Sequence, residues 1–471
     1  MRYRWLVGAI VVALTGCVSP EPALPMHNPP VQQATITPPS TSIPLPSQPS
    51  ESLEGSCELP TPTYHQSRFF AAWEMTPAQF LKDEAMWPWR TFKAGRGYGL
   101  NKRLLPPQWF EKLKKNAQME RFPSRRQPAL TLRRTDLRAF PTYEPYFLDP
   151  NRAGEGFPFD YLQVSAIHPG EAVMIAHESI DGAWAYIYTS YAEGWVLQSD
   201  LVAVDDEVMA ACRALPQAVL LQDRISLRDD KGRFRIYADL GTILPILRLE
   251  NQKIELLLPL IDADSSFMAT TVTLPLEQAA PIPLPYTAAN KEKIIKALAG
   301  QTYGWGGIGG LRDCSATLRD YFAPFGVWLP RNSGAQAKIG RHVSLKDLND
   351  NEKEARIASE AIPFETLITF KGHVALFVGV DEHNRSMIFH NVWGLRSFTG
   401  TKEERKIIGQ AVITTLWENG EIIGDPDPNV IPFIRRVTGM TFLSDKLRAS
   451  GALHPVRTAT ESAHTDNKPS S

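Results

Sequence analysis

The chain has 471 residues, 43% of them hydrophobic, and 50 Lys and Arg nearly balance 51 Asp and Glu. This composition can bury several cores, so a chain that is disordered throughout is excluded. With a formal net charge of -1, the chain lacks the excess of basic residues that is typical of proteins that bind a phosphate backbone, so we expect no nucleic-acid partner. The 38 prolines exceed the usual frequency, and their crowding near the N-terminus indicates a linker.

The first 17 residues have the features of an export signal. Arg2 and Arg4 precede an apolar run that is too short to span a bilayer but suits a signal-peptide core. The run ends in Leu-Thr-Gly-Cys17, which resembles the lipobox of bacterial lipoproteins. That resemblance implies a lipid on Cys17, and Val18 after it implies the outer membrane, facing the periplasm. An ordinary secretion signal with an incidental cysteine is the alternative.

Residues 18–62 are rich in Pro, Ser and Thr and carry few large apolar side chains, which predicts an extended tether. If Cys17 carries a lipid, Cys57, Cys212 and Cys314 remain, an odd number for an exported protein. Cys57 and Cys212 could form a disulfide and leave one free thiol. Alternatively, all three thiols are isolated and buried.

Residues 63–127 are aromatic and basic, with a helical stretch around 109–118, and we expect them to serve in packing. Two sets of short β-prone runs follow, in residues 128–210 and 211–276, separated by turn residues. Their spacing fits two consecutive small barrels better than one large sandwich. The proline-rich residues 277–286 then predict a rigid connector.

The last domain, residues 285–444, contains a glycine-rich run that ends at Cys314. The glycines permit tight turns and close approach by a ligand, but no Gly-Lys-Ser/Thr follows, so the run is not a phosphate loop. Cys314 begins an amphipathic stretch that stops before Pro324, which puts the thiol at a helix N-terminus. This position favours the thiolate, the nucleophilic form. A buried structural cysteine is the alternative.

A nucleophilic cysteine needs a base and a third group that orients the base. His373 and His390 lie on two successive predicted strands and could meet if the strand register allows. A lone histidine on a strand is more often structural. A zinc site is disfavoured because Cys-x-x-Cys and His-Glu-x-x-His are both lacking and the domain has one thiol. We expect neither a metal nor another cofactor.

Three motifs carry a resemblance to a known family: Tyr303-Gly-Trp-Gly-Gly through Asp313-Cys314-Ser315, Leu329-Pro-Arg-Asn-Ser-Gly-Ala-Gln336, and Gly372-His373-Val-Ala-Leu. Together they resemble the NlpC/P60 cell-wall cysteine peptidases over about residues 285–440. The upstream barrels resemble the bacterial SH3-like domains of the γ-D-glutamyl-L-diamino acid endopeptidase branch. The resemblance implies an α+β fold, a papain-like NlpC/P60 catalytic domain preceded by two small SH3-like β-barrels.

The resemblance also implies the chemistry, which is hydrolysis of the bond between D-Glu and the diamino acid in peptidoglycan stem peptides. Cys314 would be the nucleophile, His373 the general base and His390 the residue that orients the base. The implied substrate contacts are Asp313, Ser315, Ser333, Tyr303, Trp305 and Tyr191. In this branch the Asp of Asp-Cys-Ser pairs with the free amine of L-Ala, and the first barrel closes that end of the groove.

Each implied contact has a structural alternative, since Tyr303 and Trp305 could pack beneath the loop, Ser315 could cap the helix and Tyr191 could be barrel surface. Arg331 and Gln336 are expected to be structural, whereas the acids Glu155 and Asp160 could face the site. A non-catalytic wall-binding lipoprotein and an acyltransferase on the same core are the other functional classes. The expected segments are a signal peptide and lipobox (1–17), a tether (18–62), a stabilising region (63–127), two barrels (128–210 and 211–276), a catalytic domain (285–444) and a disordered tail (445–471).

Overall fold

The computed structural model describes residues 64–450. The predicted signal peptide with Cys17, the tether with Cys57, and the tail beyond residue 450 lie outside the described residues. Among those described, no helix is both long and apolar enough to cross a membrane. Cys212 is buried and forms no disulfide within residues 64–450, and Cys57, with which it could pair, lies outside them.

The N-terminal segment folds into short helices that pack against the first barrel. Its helices are α1 (Tyr64–Phe69), α2 (Lys82–Ala85), α3 (Trp87–Thr91) and α4 (Pro107–Ala117). Helix α4 begins with proline, whose fixed φ suits a first helical position, and buries Trp109, Phe110 and Leu113 on one face. The indole N–H of Trp73 donates to the carbonyl of Ala129 in the barrel at 3.1 Å. The segment therefore packs on the barrel, as its aromatic content predicts.

The first barrel is a seven-stranded antiparallel sheet with the strand order β3-β2-β6-β5-β4-β1-β7. Its strands are β1 (Gln127–Thr131), β2 (Thr135–Arg138), β3 (Gln163–Ile167), β4 (Ala172–Glu178), β5 (Trp184–Tyr188), β6 (Glu193–Leu197) and β7 (Leu201–Ala203), and helix α5 (Asp206–Ala214) follows. The predicted runs match β1, β4, β5 and β6. Strands β2 and β3 carry polar residues that are buried because they pair, as Arg138 does with Asp160 at 2.7 Å, so they lack an apolar pattern.

The second barrel combines a five-stranded sheet, in the order β13-β12-β11-β8-β14, with the pair β10-β9. Its strands are β8 (Gln217–Leu220), β9 (Ile225–Arg228), β10 (Phe234–Ala238), β11 (Ile243–Glu250), β12 (Lys253–Ile261), β13 (Phe267–Pro275) and β14 (Ala279–Pro281). Strand β14 pairs with β8, which extends this barrel beyond residue 276. The predicted connector at 277–286 is therefore partly a strand, and its two alanines, Ala279 and Ala280, are buried within the sheet.

The last domain is built around a sheet with the strand order β15-β21-β16-β17-β18-β19, and β20 pairs with β18. Its elements are α6 (Ala288–Leu298), α7 (Cys314–Phe322), α8 (Ser333–Gln336), β15 (Arg341–Ser344), α9 (Asp350–Glu360), β16 (Thr366–Phe370), β17 (His373–Val380), β18 (Ser386–Thr399), β19 (Lys402–Thr415), β20 (Val430–Ile431), α10 (Phe433–Arg436), β21 (Val437–Phe442) and α11 (Ser444–Ala449). The disordered tail was expected to start at residue 445, but residues 444–449 form helix α11. Leu447 of this helix is buried, which holds the helix on the domain.

Candidate active site

Helix α7 begins at Cys314 because the preceding residue caps it. The Asp313 carboxylate accepts a hydrogen bond from the backbone N–H of Ala316 at 2.9 Å, which satisfies a donor that the helix itself leaves unpaired. The Thr317 hydroxyl donates back to the Asp313 carbonyl at 2.9 Å. The thiol therefore lies at the first residue of a capped helix, where the sequence predicts it.

The glycine run before α7 packs against strand β3 of the first barrel. Gly306 and Gly307 have positive φ angles of 60° and 84°. A Cβ on Gly306 would lie 2.5 Å from the Gln163 carbonyl oxygen, and one on Gly307 would lie 2.8 Å from the Cβ of Ala166. The sequence predicts close approach by a ligand at this run. The structure shows that the close approach at these two glycines is made by the barrel.

Two histidines meet across neighbouring strands. Strands β17 and β18 pair antiparallel with Leu376 opposite Phe389, which places His373 and His390 diagonally across the pair. His373 Nε2 and His390 Nδ1 are hydrogen bonded at 2.9 Å. His390 is fully buried, and its Nε2 is hydrogen bonded to the Thr414 hydroxyl at 3.1 Å. Thr414 was not predicted from the sequence, since nothing in a strand pattern marks a hydroxyl that faces a histidine on the neighbouring strand.

The Cys314 thiol faces the start of β17, where its sulfur accepts a hydrogen bond from the backbone N–H of Val374, the residue after His373. Burial raises the pKa of the thiol to about 12, and the Asp313 carboxylate adds to the rise. Burial also lowers the pKa of His373 to about 3. The sequence predicts that the helix N-terminus favours the thiolate. Burial outweighs that effect in this structure, so the pKa values favour the neutral thiol and the neutral imidazole.

The thiol opens into a groove of about 380 Å³ between the first barrel and the last domain. Seven residues of the sequence-predicted site line it: Cys314, Asp313, Ser315, Ser333, Tyr303 and Trp305 from the last domain, and Tyr191 from the first barrel. The indole N–H of Trp305 is buried and has no hydrogen-bond partner among residues 64–450. The groove therefore contains a donor that the described part of the protein leaves unused.

Nine further residues line the groove that were not among the predicted contacts. They are Trp87 from the N-terminal segment, Gln163, Val164, Ala192 and Glu193 from the first barrel, and Gly306, Arg331, Asn332 and Gly372 from the last domain. Gly306, Arg331, Asn332 and Gly372 lie within the three motifs of the last domain, whereas the other five come from segments far from Cys314 in sequence, which those motifs do not reach. Arg331 was expected to be structural. It does bind Asp313 and Ser165, and it also lines the groove.

Asp313 and Arg331 form a buried ion pair beside the thiol. Arg331 Nη2 donates to Asp313 Oδ2 at 2.7 Å, and Nη1 donates to Oδ1 at 3.0 Å. Arg331 Nε also donates to the Ser165 hydroxyl of the first barrel at 2.7 Å. Burial alone would raise the pKa of Asp313, but the adjacent guanidinium more than compensates and holds that pKa below its usual value. The pair ties the barrel to the start of α7.

The remaining predicted contacts have defined neighbours. The Ser315 hydroxyl donates to Asp313 Oδ1 at 3.1 Å and accepts from Arg331 Nη1 at 2.9 Å. The guanidinium carbon of Arg319 lies 3.4 Å from the ring centroid of Tyr191. Ser333 begins helix α8 and is half-buried at the groove. Ser315 is thus held by the ion pair, whereas Tyr191 joins the barrel to a residue of α7.

Two acids that could have faced the site lie elsewhere. Asp160 is buried in its ion pair with Arg138, and its carboxylate also accepts from the backbone N–H of Tyr146. Glu155 accepts from the backbone N–H of Asp149 at 3.2 Å. Neither residue lines the groove. Gln336 donates to the carbonyls of Ser315 and Pro330, which gives it the structural role that the sequence predicts.

Comparisons with known families agree with this architecture. Residues 300–401 match the NlpC/P60 family, and residues 6–122 match the N-terminal NLPC_P60 stabilising domain. Residues 145–197 match an SH3 domain of the SH3b1 type, and residues 205–250 match one of the SH3b2 type. The chain thus contains an NlpC/P60 domain preceded by SH3 domains of the SH3b1 and SH3b2 types. The α+β fold, with SH3-like barrels ahead of the NlpC/P60 domain, is thereby confirmed.

Individual relatives of the NlpC/P60 domain are more distant. A gamma-D-glutamyl-L-lysine dipeptidyl-peptidase of Bacillus subtilis (strain 168) is 33% identical over 98 residues, which are 19% of this chain and 33% of the relative. The chain thus matches about a third of the length of that protein. The solved structure of an NlpC/P60 endopeptidase from Photobacterium damselae subsp. piscicida superposes with a TM-score of 0.72 at 24% identity, over 81% of this chain and 91% of the other. That similarity shows a shared fold.

Proposed function

We propose that this NlpC/P60 protein is a cysteine endopeptidase. Its substrate would be the γ-D-glutamyl-diamino acid bond of peptidoglycan stem peptides whose L-Ala amine is free. The observation that carries the proposal is the placement of Cys314, at a helix N-terminus inside a groove, against the strand that begins with His373. His390 stands behind His373 at 2.9 Å. A nucleophile, a base and an orienting group are what acyl transfer through a thioester requires.

The hydrogen bonds assign a role to each histidine nitrogen. If His390 Nε2–H donates to Thr414, then His390 Nδ1 accepts from His373 Nε2–H. In this tautomer Nδ1 of His373 is unprotonated and can take a proton from the Cys314 thiol. His390 then acts by fixing the tautomer and the ring orientation of His373.

The reaction proceeds in two halves. Cys314 Sγ attacks the γ-carbonyl carbon of D-Glu while its proton passes to His373. The carbon–nitrogen bond breaks, the amine of the diamino acid leaves with the proton from His373, and a thioester remains on Cys314. Water then attacks the thioester, gives one proton to His373, and releases the L-Ala-γ-D-Glu acid. The proton returns to the thiol, so the enzyme is regenerated.

The direct test is incubation of the purified protein with L-Ala-γ-D-Glu-diaminopimelate and with the corresponding L-lysine peptide, followed by mass spectrometry. The proposal expects L-Ala-γ-D-Glu as a product that Cys314→Ala no longer forms. An added amine acceptor separates hydrolysis from acyl transfer, because a transferase would yield the amide of that acceptor instead of the acid. Intact peptides after prolonged incubation with the wild type would overturn the proposal.

We further propose that Cys17 carries a lipid and that residues 18–62 tether the enzyme to the outer membrane, facing the periplasm. The support is the signal-like sequence that ends in Leu-Thr-Gly-Cys17. Cys17→Ser should release the protein from the membrane fraction without changing its kcat on a soluble peptide. Continued sedimentation of this variant with membranes would refute the lipid anchor.

A further inference from the structure

Three arginines of the last domain lie close together. Arg396 of β18 and Arg405 of β19 are register partners, so their side chains leave the same face of the hairpin. Ile431 of β20 pairs with Arg396, and the chain then continues into α10, which ends at Arg436. Arg436 is close enough to the other two arginines for their charges to lower its pKa. Arg396, Arg405 and Arg436 form what we name the arginine cluster.

The arginine cluster carries more positive charge than its neighbours balance. Arg396 Nη2 donates to the Glu403 carboxylate at 2.7 Å, and Arg405 Nη1 donates to the same carboxylate. Within residues 64–450, the salt bridges of the cluster are these two, and neither includes Arg436. The buried Nε of Arg396 has no hydrogen-bond partner among those residues either. Three guanidinium groups therefore share one carboxylate.

The position of Arg436 is costly for the folded protein. Its side chain is half-buried, and burial lowers its pKa. The charges of Arg405 and Arg396 lower this pKa further, while Glu403 opposes them. Charged groups held in such an unfavourable setting are more often found at functional sites. Because guanidinium groups bind carboxylates through paired hydrogen bonds, a ligand carboxylate would complete the cluster.

Helix α10 places the arginine cluster beside the proposed base. Phe433, at the start of α10, stacks on the His373 ring with the centroids 6.4 Å apart and an interplanar angle of 22°. Burial lowers the pKa of His373, and the charge of Arg436 adds to this effect. In the proposed reaction His373 gives its proton to the amine of the diamino acid, so this amine lies within hydrogen-bond reach of the imidazole. The carboxylates of the same amino acid are then carried towards Arg436.

We propose that the arginine cluster is the subsite for a carboxylate of the leaving diamino acid, with Arg436 as its main contact. The bound carboxylate supplies the negative charge that Glu403 alone does not. A C-terminal diaminopimelate offers two such groups, the α-carboxylate and the carboxylate at the end of the side chain, which lysine lacks. This assignment rests on the proposed peptidase function and deepens it, because it makes recognition of the leaving group depend on charge.

The test compares the wild type with Arg436→Gln on three peptides. The first is L-Ala-γ-D-Glu-diaminopimelate, the second is the L-lysine peptide, and the third is the diaminopimelate peptide with its α-carboxylate converted to an amide. In Arg436→Gln, kcat/KM for the first peptide should fall by about tenfold to hundredfold, the value of a hydrogen bond to a charged group. The peptide that lacks the bound carboxylate should be a poor substrate of the wild type, and the variant should change its kcat/KM by less than about twofold. The identity of that peptide shows which carboxylate binds.

Two further measurements separate binding from packing. Arg436 faces two other cations and is in no salt bridge within residues 64–450, so Arg436→Gln should leave the unfolding temperature unchanged or raise it. Arg436→Lys should keep part of the preference among the peptides, because lysine keeps the charge but not the paired hydrogen bonds. A residue used only for packing would show a lower unfolding temperature and no change of preference.

Lys402→Gln is the matched control, because Lys402 lies in the same hairpin, carries the same charge, and is 78% exposed beside its own partner Glu404. This variant should leave kcat/KM for all three peptides unchanged. Equal losses for the three peptides in Arg436→Gln would overturn the subsite, as would a wild type that cleaves all three equally well. A wild type that cleaves none of them would instead overturn the proposed function itself.

Discussion

Helix α7 lies between two buried polar clusters, each centred on an arginine. The closed cluster consists of Arg312, Asp320, Asp223, Gln301 and His168. The groove cluster consists of Asp313, Arg331, Ser315 and Ser165. Arg312 joins the second barrel to the NlpC/P60 domain through Asp223, and Arg331 joins the first barrel to it through Ser165. Each cluster thus links one barrel to the NlpC/P60 domain.

The clusters differ in what surrounds them. All five N–H groups of Arg312 donate, to Asp320, twice to Asp223, to Gln301 and to the Leu240 carbonyl, and the residue is 2% exposed. Burial alone would raise the pKa of Asp320, but His168 and Arg312 lower it strongly. The groove cluster, in contrast, borders the groove, which is also lined by Trp305, whose buried indole N–H has no hydrogen-bond partner among residues 64–450. A network that is enclosed on all sides supports the fold, while one that borders a groove beside a thiol leaves room for a substrate.

The largest expected effect comes from removing the nucleophile of the groove. Cys314→Ala should lower kcat/KM by at least about ten-thousandfold, because nucleophile and base act as a unit, and His373→Ala should be nearly as damaging. The free energy of unfolding should stay within about 1 kcal/mol of the wild type, since little volume is lost. Activity is measured by peptide release and stability by denaturant unfolding. Substantial turnover by Cys314→Ala would remove the thiol from the mechanism.

The closed cluster should show the opposite pattern. Arg312→Met leaves Asp320 and Asp223 without their shared cation, so the free energy of unfolding should fall by about 3 to 5 kcal/mol. The kcat/KM of the folded fraction should not change. Arg248→Met is the matched control, because Arg248 is an exposed arginine with two acidic neighbours, and it should cost less than about 1 kcal/mol. A loss of activity at full stability in Arg312→Met would contradict this division of roles.

Sequence patterns predict the groove cluster better than the closed one. The capped helix at Cys314 and the two histidine-bearing strands follow from local periodicity and turn residues. The bond between Arg312 and Asp223 joins residues 89 positions apart, and that between Arg331 and Ser165 spans 166 positions. Neither arginine differs locally from a solvated one, so its role depends on a partner that only the tertiary fold supplies. Trp87 was interpreted as packing for the same reason.

A smaller effect separates the two arginines themselves. Lysine keeps the charge of arginine but cannot make the paired hydrogen bonds to a carboxylate. Arg331→Lys should therefore reduce both stability and the free energy of transition-state binding by about 1.5 to 3 kcal/mol each. Arg312→Lys should reduce stability alone. The two variants are compared by kcat/KM and by unfolding under the same conditions, and an unchanged kcat/KM in Arg331→Lys would assign Arg331 to the scaffold only.

The smallest expected effect is that of pH on catalysis. The pH dependence of kcat/KM reports the pKa values of the free enzyme. Burial holds the pKa of His373 at about 3 and that of Cys314 at about 12, so both residues keep their neutral forms across the neutral range. For a peptide in which a propionyl group replaces L-Ala, so that no N-terminal ammonium titrates, kcat/KM should change by less than about twofold between pH 5 and 7.

Stability does depend on pH in the same window. The unfolded chain binds a proton on each histidine as the pH falls through about 6.5, whereas folded His373 stays neutral until about pH 3, so acid favours unfolding. Circular dichroism at each pH is therefore the control for the kinetics. An acid limb near pH 6.5 in a protein that is still folded would show that the His373 imidazole titrates as if in water. A flat pH profile of kcat/KM would show that His373, although next to an open groove, lies in low-dielectric surroundings. The closed cluster lies in such surroundings on all sides.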